Sequence, residues 1–437
     1  MHALLLTPTD TLFFRDGRPM TGALTGHGAT FPAPHIINAA FHAALHRAGI
    51  ASHKHHSGNY RTRDYSDDSA RKQLYGSLKT IGPFPVRLST DAGTTTAEWF
   101  VPAPADDAGF KLLEITAGTT SLPAPLTHAF LAVSGPTKEK RPNWHSLTNP
   151  QTTATDADIF DAEDRIGIGI DSATGSQDGE RFYTSQILRL RDNWRLGILV
   201  SADDKEHGDL ITGTDGLLAR ARHLVLGGNQ GLAAIERATA GADDILPALP
   251  EIPPAAGKIR IRWTLLSPAI FPKLKNHPGG WLPNWINPTT GAVLLPQTIE
   301  RKPGESRADW RARVQSAPFI NARLIAALVD KPVPVTGWAL GNPPTETTAG
   351  NPTAGNTTTV GSTKTAGAKP THFAVPAGSV YVFEADTSAD ANALVRALHL
   401  VPRSTLLGEK GYGLGLCAQW QDAAAQSSAT GTTHERK

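Results

Sequence analysis

One cysteine, Cys417, and two methionines stand in 437 residues. A single thiol excludes a disulfide framework and any Cys-rich zinc site, and it fits a reducing cytoplasm. No apolar run approaches the roughly 20 residues that a membrane span needs. The N-terminal apolar run stops at Pro8 and has no Lys or Arg before it, so neither a span nor a signal peptide is expected. An excess of either charge is also missing. There are 42 basic and 40 acidic residues, a formal net charge of +2. That excludes a histone-like polycation, and any nucleic-acid contact must come from local basic patches.

Glycine and proline are abundant, at 41 and 33 residues, which points to a loop-rich α+β protein. The length allows two or three domains. Residues 3–6 read as a first strand. From Pro34 onward, Ile37, Phe41, Ala44, Leu45 and Ala48 keep helical spacing and predict a core face, with the helix ending at Gly49. His35, Asn38, His42 and His46 line a second face. The polar stretch 53–68 reads as an exposed excursion, in which His53, His55 and His56 lack a full ligand set. Strands are expected at 81–89, 98–101, 166–170, within 182–202 and at 223–228, followed by an Ala-rich helical stretch to Ala240. Residues 246–257 carry four prolines and are the best domain boundary.

Beyond that boundary, 258–266 alternates cleanly. It predicts a strand with Ile259, Ile261, Trp263 and Leu265 buried and Lys258, Arg260 and Arg262 in solvent. Residues 307–314 read as a helix, and 321–329 as either helix or strand. The stretch 342–371 is rich in Thr, Gly, Asn and Pro and reads as a disordered insertion. A strand at 379–384, a helix at 390–400 and a strand at 414–420 end the folded chain, in the order of the second half of a ferredoxin-like βαββαβ unit.

Two segments carry candidate chemistry. In the first, Arg15 and Arg18 flank the Asp16-Gly17 turn just after Phe13 and Phe14. Guanidinium forks suit phosphates and bases, and aromatics suit base stacking. An Arg–Asp pair fixing a surface loop is the plainer alternative. In the second, Gly411, Gly413 and Gly415 form a glycine-rich loop with Lys410, Tyr412 and nearby Arg403. A dinucleotide fingerprint must follow a strand and open a helix. Here the loop follows a helix and precedes a strand, so no nucleotide cofactor is expected. Such a loop can let a polynucleotide backbone approach closely, with amides and cations meeting phosphates. A flexible turn is the alternative.

Several segments resemble a known family in order. They are LFFRDGRPM, FPAPHIINAAFHAAL, GPF with WFVPAPADD, EDRIGIGID with ILRLRD, LVLGGNQGLA, SPAIF with GGWLP, VTGWAL, AVPAGSVYVFE and GYGLG. Together they resemble the Cmr-module RAMP protein of type III-B CRISPR effector complexes, the subunit that holds the 5′ end of the guide RNA. The resemblance covers nearly the whole chain except 342–371, 53–68 and the tail.

That resemblance implies two ferredoxin-like (RRM-like) domains, 1–250 and 251–421, with the insertion 342–371 in the second and a disordered tail 422–437. It implies a cytoplasmic, non-catalytic subunit without a cofactor or metal. Its partners would be the repeat-derived 5′ tag of the CRISPR RNA, the large polymerase-like signalling subunit, the backbone RAMP subunit and, indirectly, target RNA, with no membrane. RNA contact carries over to Arg15, Asp16, Gly17 and Arg18, to His35 and Asn38, to Gly227 and Gly228, and to Gly411, Gly413 and Gly415; Arg403, Lys410 and Tyr412 join as loop neighbours. Where the family's first helix has Gly-Ala and then Arg, this chain has Ala39, Ala40 and His42, and neutral His lacks the fixed charge of Arg. Where the family has a GGE-type motif, this chain has Gly227-Gly228-Asn229. The alternative is a metal-independent CRISPR-RNA-processing endoribonuclease, with His35, His42 or His46 as general acid or base.

Overall fold

The computed structural model describes residues 1–14, 25–26, 31–50, 77–106, 110–114, 126–132, 143–149, 151–170, 173–204, 208–228, 231–255, 257–273, 280–297, 299–336, 338–339, 367–368 and 371–420. Its architecture is mixed α+β, mostly antiparallel sheet with few helices.

The first sheet is built on β1, His2–Pro8. Around it run β2 (Lys79–Asp91), β3 (Thr94–Pro102), β4 (Trp144–Ser146) and β5 (Thr153–Ala154). A long ribbon follows, β6 (Phe160–Ile170) and β7 (Gln177–Leu190), then β8 (Trp194–Ser201), β9 (His223–Val225) and β10 (Leu232–Arg237). The sheet order is β9-β10-β1-β8-β2-β3-β4-β5, and every neighbour pair is antiparallel. β1 is a near-continuous apolar run because both its faces are covered. Leu4 and Leu6 join the core under α1, Pro34–Arg47, while Ala3 and Leu5 join a second core on the opposite face.

The second sheet contains β11 (Ile259–Leu265), β12 (Ala322–Leu328), β13 (Val380–Ala385) and β14 (Gly415–Gln419). Its order is β12-β13-β11-β14, all antiparallel. One face packs against α3, Ser388–Leu398, through Ala391, Leu394, Val395 and Leu398. The crossover from β11 to β12 carries α2, Arg307–Gln315, which buries none of its residues. Trp281, Leu282, Trp285, Ile286, Val293 and Leu295 fill the core of this sheet instead.

Several expectations are corrected. The stretch 231–240 is not helical: Leu232–Arg237 is strand β10, paired to both β1 and β9. Two ladders of backbone bonds outweigh the helical preference of Ala and Glu. The ambiguous 321–329 is strand β12. The basic side of β11 is not simply solvated. Arg262 pairs with Asp106, whose side chain is 7% exposed, and Lys258 Nζ lies 2.9 Å from Glu384 Oε1. Asn38, expected on the second face of α1, is 7% exposed, and its Nδ2 donates to Thr80 Oγ1 at 3.1 Å. Phe14 is 1% exposed in the core under α1, so it is no stacking platform. Within 342–371, Gly367–Ala368 pairs with Trp338–Ala339; 342–366 and 369–370 lie outside the described residues, as do 53–68 and 421–437.

The proline-rich boundary is extended and pinned. Ile252 exchanges backbone bonds with the Asn392 side chain at 2.9 Å each way. His399, 7% exposed, accepts the Cys417 amide at Nδ1 (3.1 Å), so the proton sits on Nε2 and is donated to the Pro247 carbonyl at 3.0 Å. No helix among the described residues is long and apolar enough to cross a membrane, which says nothing about a β-barrel.

Candidate functional site

The opening motif is delivered from a clamp. Leu12 and Leu188 exchange backbone hydrogen bonds of 2.7 and 2.8 Å, which ties the segment to β7. On its other side the Gly228 amide donates to the Phe13 carbonyl at 2.8 Å. Any Cβ on Gly228 would stand 2.6 Å from Phe13 Cδ1, and one on Gly227 2.6 Å from the Phe13 carbonyl oxygen. The double glycine is therefore a close-approach surface for the backbone just before Arg15. Segments near 12, 188 and 228 in sequence meet at this one place. Arg15, Asp16, Gly17 and Arg18 themselves lie outside the described residues.

The glycine loop sits where the two sheets meet. Arg403 is half-buried; its Nε donates to the Ala397 carbonyl at 2.8 Å and its amide to the Gly413 carbonyl at 2.9 Å. A 3₁₀ turn, Gly408–Lys410, leads into Gly411 at φ +85°. A Cβ on Gly411 would lie 2.7 Å from the Thr80 carbonyl on β2. Tyr412 is fully buried, and its hydroxyl lies 2.6 Å from His35 Nδ1 at the start of α1. Burial pushes that hydroxyl well above the ordinary tyrosine range. Gly413, at φ +73°, would set a Cβ 2.3 Å from the Ser404 amide nitrogen, and Gly415 would set one 2.3 Å from Trp263 Nε1. Ser404 is buried, with its Oγ accepting from the Ile270 amide at 2.8 Å and donating to the Leu406 carbonyl at 2.6 Å.

The glycines thus answer to packing of the protein against itself. The loop is neither a slack turn nor, in its buried part, an open cradle. It joins α1 and β2 of the first sheet to β11 and β14 of the second. Thr80 and Ser404, which carry this junction, have no local sequence signal that singles them out; both are found only through partners more than 40 and 130 residues away in sequence.

The histidines of α1 are dispersed by use. His35 meets Tyr412, and the His42 and His46 rings are in edge contact at 4.8 Å. Among the described residues no group of three or more His, Cys, Asp or Glu is placed to hold a metal ion. The ribbon of β6 and β7 leaves Ile166, Ile168 and Ile170 exposed, at 69%, 50% and 65%.

These features define an α+β protein built on two main sheets, in which widely separated motifs converge on a clamp and on a glycine-loop seam. The chain belongs to the family described as CRISPR-associated protein (Cas_Cmr3), whose model matches residues 4–143 and 134–420. No curated protein matches. Among solved structures, one similar chain comes from a cryo-EM structure of the Type III-B Cmr-beta bound to cognate target RNA and AMPPnP. It is 12% identical with a TM-score of 0.36, covering 90% of this chain and 88% of that one. A second, from the Type III-B Cmr-beta bound to cognate target RNA, is 13% identical with a TM-score of 0.36, covering 87% and 86%. At that similarity neither bears on the chemistry of this chain.

Proposed function

We propose that this chain is a non-catalytic, cytoplasmic subunit of a type III-B CRISPR effector complex, which grips the repeat-derived 5′ tag of the CRISPR RNA beside the large signalling subunit and the first backbone RAMP subunit. The observation that carries this is the family match, which runs from residue 4 to residue 420. The clamp on Phe13 supports it, because it fixes the entry to the Arg15–Arg18 fork from two sides. Two ferredoxin-like units suit both sheets. Each has one strand order: first strand between third and fourth, second strand outside the third. In the first the strands are β1, β2, β8 and β10; in the second they are β11, β12, β13 and β14. A boundary near 250 would suit this division.

Single-stranded RNA suits such a site, since splayed bases can be stacked and read on their edges while cations meet phosphates. The test is recovery of guide RNA with the assembled complex. Arg15→Ala with Arg18→Ala is expected to lower guide-RNA occupancy while the purified protein remains folded. Full occupancy in that double variant would remove the fork from the site. Metal-free cleavage of repeat RNA by the purified chain, abolished by His42→Ala, would overturn the non-catalytic assignment.

A further inference from the structure

α2 has no role in either core. Helices of its length, 9 residues, are marginal in water unless they bury an apolar face. No residue of α2 is fully buried, only Trp310, Arg313 and Val314 being half-buried, and what holds it is local. Ser306 Oγ accepts the Asp309 amide at 3.1 Å and donates to Asp309 Oδ2 at 2.7 Å. Arg313 forks onto Glu305, with Nε 2.6 Å from Oε1 and Nη2 2.8 Å from Oε2. Trp310 Nε1 donates to the Ile299 carbonyl at 2.8 Å. The base of the excursion is closed by the Gln297 amide on the Pro318 carbonyl at 3.0 Å. The segment is a self-clipped arm.

Its outward charge is positive. Glu305 is engaged by Arg313, and Asp309 by the cap. Arg307 and Arg311 are exposed and make no hydrogen bond or ion pair among the described residues. Four residues apart, they share one helix face about 5–6 Å apart. Like charges at that spacing weaken a helix rather than support it, so the folding of α2 does not explain them. Paired guanidiniums are suited to phosphate, which they bind bidentately and with little loss of hydration. A polynucleotide offers a charge at every residue, so two cations at fixed spacing find partners in any register. A protein surface would need two carboxylates placed to match.

We propose that α2 is a phosphate-binding arm on which Arg307 and Arg311 each take a phosphate of single-stranded RNA. This rests on the RNA-binding function proposed above and adds a contact remote in sequence from both the opening motif and the glycine loop. The experiment measures binding of the full chain to a fluorescein-labelled oligouridylate across a salt series. Each phosphate contact contributes about 0.7 to the slope of log affinity against log salt, so Arg307→Gln with Arg311→Gln is expected to flatten it by about 1.4. Between roughly 50 and 200 mM salt the variant then loses about sevenfold less affinity than the parent. Arg307→Lys with Arg311→Lys is expected to keep the parental slope, and neither variant should melt below the parent, since neither side chain has a described partner and removing a like-charge pair does not weaken the helix. Equal slopes for parent and Gln variant would overturn the arm while leaving the RNA-binding function standing. If in addition the Gln variant loses a protein subunit from the purified complex, the arm belongs to an acidic protein surface. No salt-dependent binding by the parental chain would overturn the arm and the RNA-binding function together.

Discussion

Gly413→Ala separates a packed seam from an RNA cradle. At φ +73° an alanine carries left-handed strain of about 1–2 kcal/mol. Its Cβ would also stand 2.3 Å from the Ser404 amide nitrogen and 2.9 Å from Ser404 Cα. That backbone cannot retreat easily, because the Ser404 hydroxyl is bonded to both the Ile270 amide and the Leu406 carbonyl. Overpacking of this kind costs about 1–3 kcal/mol. The sum, about 2–5 kcal/mol, is a large share of ordinary domain stability and corresponds to a loss of roughly 4–20 °C in Tm. Gly304→Ala is the matched control. It has φ +76° and nothing within 4 Å of the new Cβ, so it carries the strain without the clash. Calorimetric melting of both variants is the assay. Gly413→Ala is expected to melt several degrees below Gly304→Ala, and guide RNA would be lost only along with the fold. Equal Tm values, or lost RNA at unchanged Tm, would refute the seam and return the glycine to a ligand.

Tyr412→Phe removes the bond to His35 across the seam and is expected to cost about 1 kcal/mol in denaturant titrations; no change would mean that the bond has no net value. Asp106→Ala leaves Arg262 without its carboxylate partner on β11 and is expected to cost about 1–3 kcal/mol, with faster hydrogen exchange over 103–106. Exchange unchanged there would show that other contacts hold the segment. Glu305 sits at about 2, below its ordinary value near 4.5, first because of its hydrogen bonds from Arg313 and then because of the Lys302 amide. A depressed carboxylate contributes stability that is present above its unfolded pKa and lost as pH falls through the folded one. The α2 clip should therefore persist at neutral pH, weaken below about pH 4.5 and be gone near pH 2. A carboxyl carbon titration by NMR with a midpoint near 4.5 would refute it.

Where one local rule acted alone, the sequence was a good guide. The 3.6 periodicity after Pro34 placed α1, and the alternation in 258–266 placed β11 with the right face buried. The Thr387 and Asp390 pair caps α3 two residues earlier than its apolar spacing suggested. What stayed hidden was set by partners far along the chain. Leu232–Arg237 is a strand because β1 and β9 lie on either side of it, which no window of residues can show. Asn38 stood off the predicted core face by spacing, yet it is buried against Thr80. The glycines of 411–415 were legible as close-approach positions, but not what approaches: a carbonyl of β2, the amide of Ser404 and the ring of Trp263.

The same distant packing bears on where the proposed function would let RNA be read. An RRM-like sheet usually stacks bases on its open face. In the second sheet the face away from α3 is occupied: Val380, Val382 and Ala326 pack with Ala105 and Leu112 from the first half of the chain. Beside them Glu384, 6% exposed, holds Lys258 and Arg323. In the first sheet the face away from α1 is covered by Ala238, Ala242 and Leu246, and by Leu266 and Leu416 reaching over from the second. Gly197 lies flat under Trp99 there, leaving no room even for a methyl group. With both faces of these two main sheets covered, neither offers an open face for base stacking among the described residues. Under the RNA-binding function proposed above, recognition would fall to loops, sheet ends and projecting arms, which is where the clamp on Phe13 and the exposed guanidiniums of Arg307 and Arg311 stand.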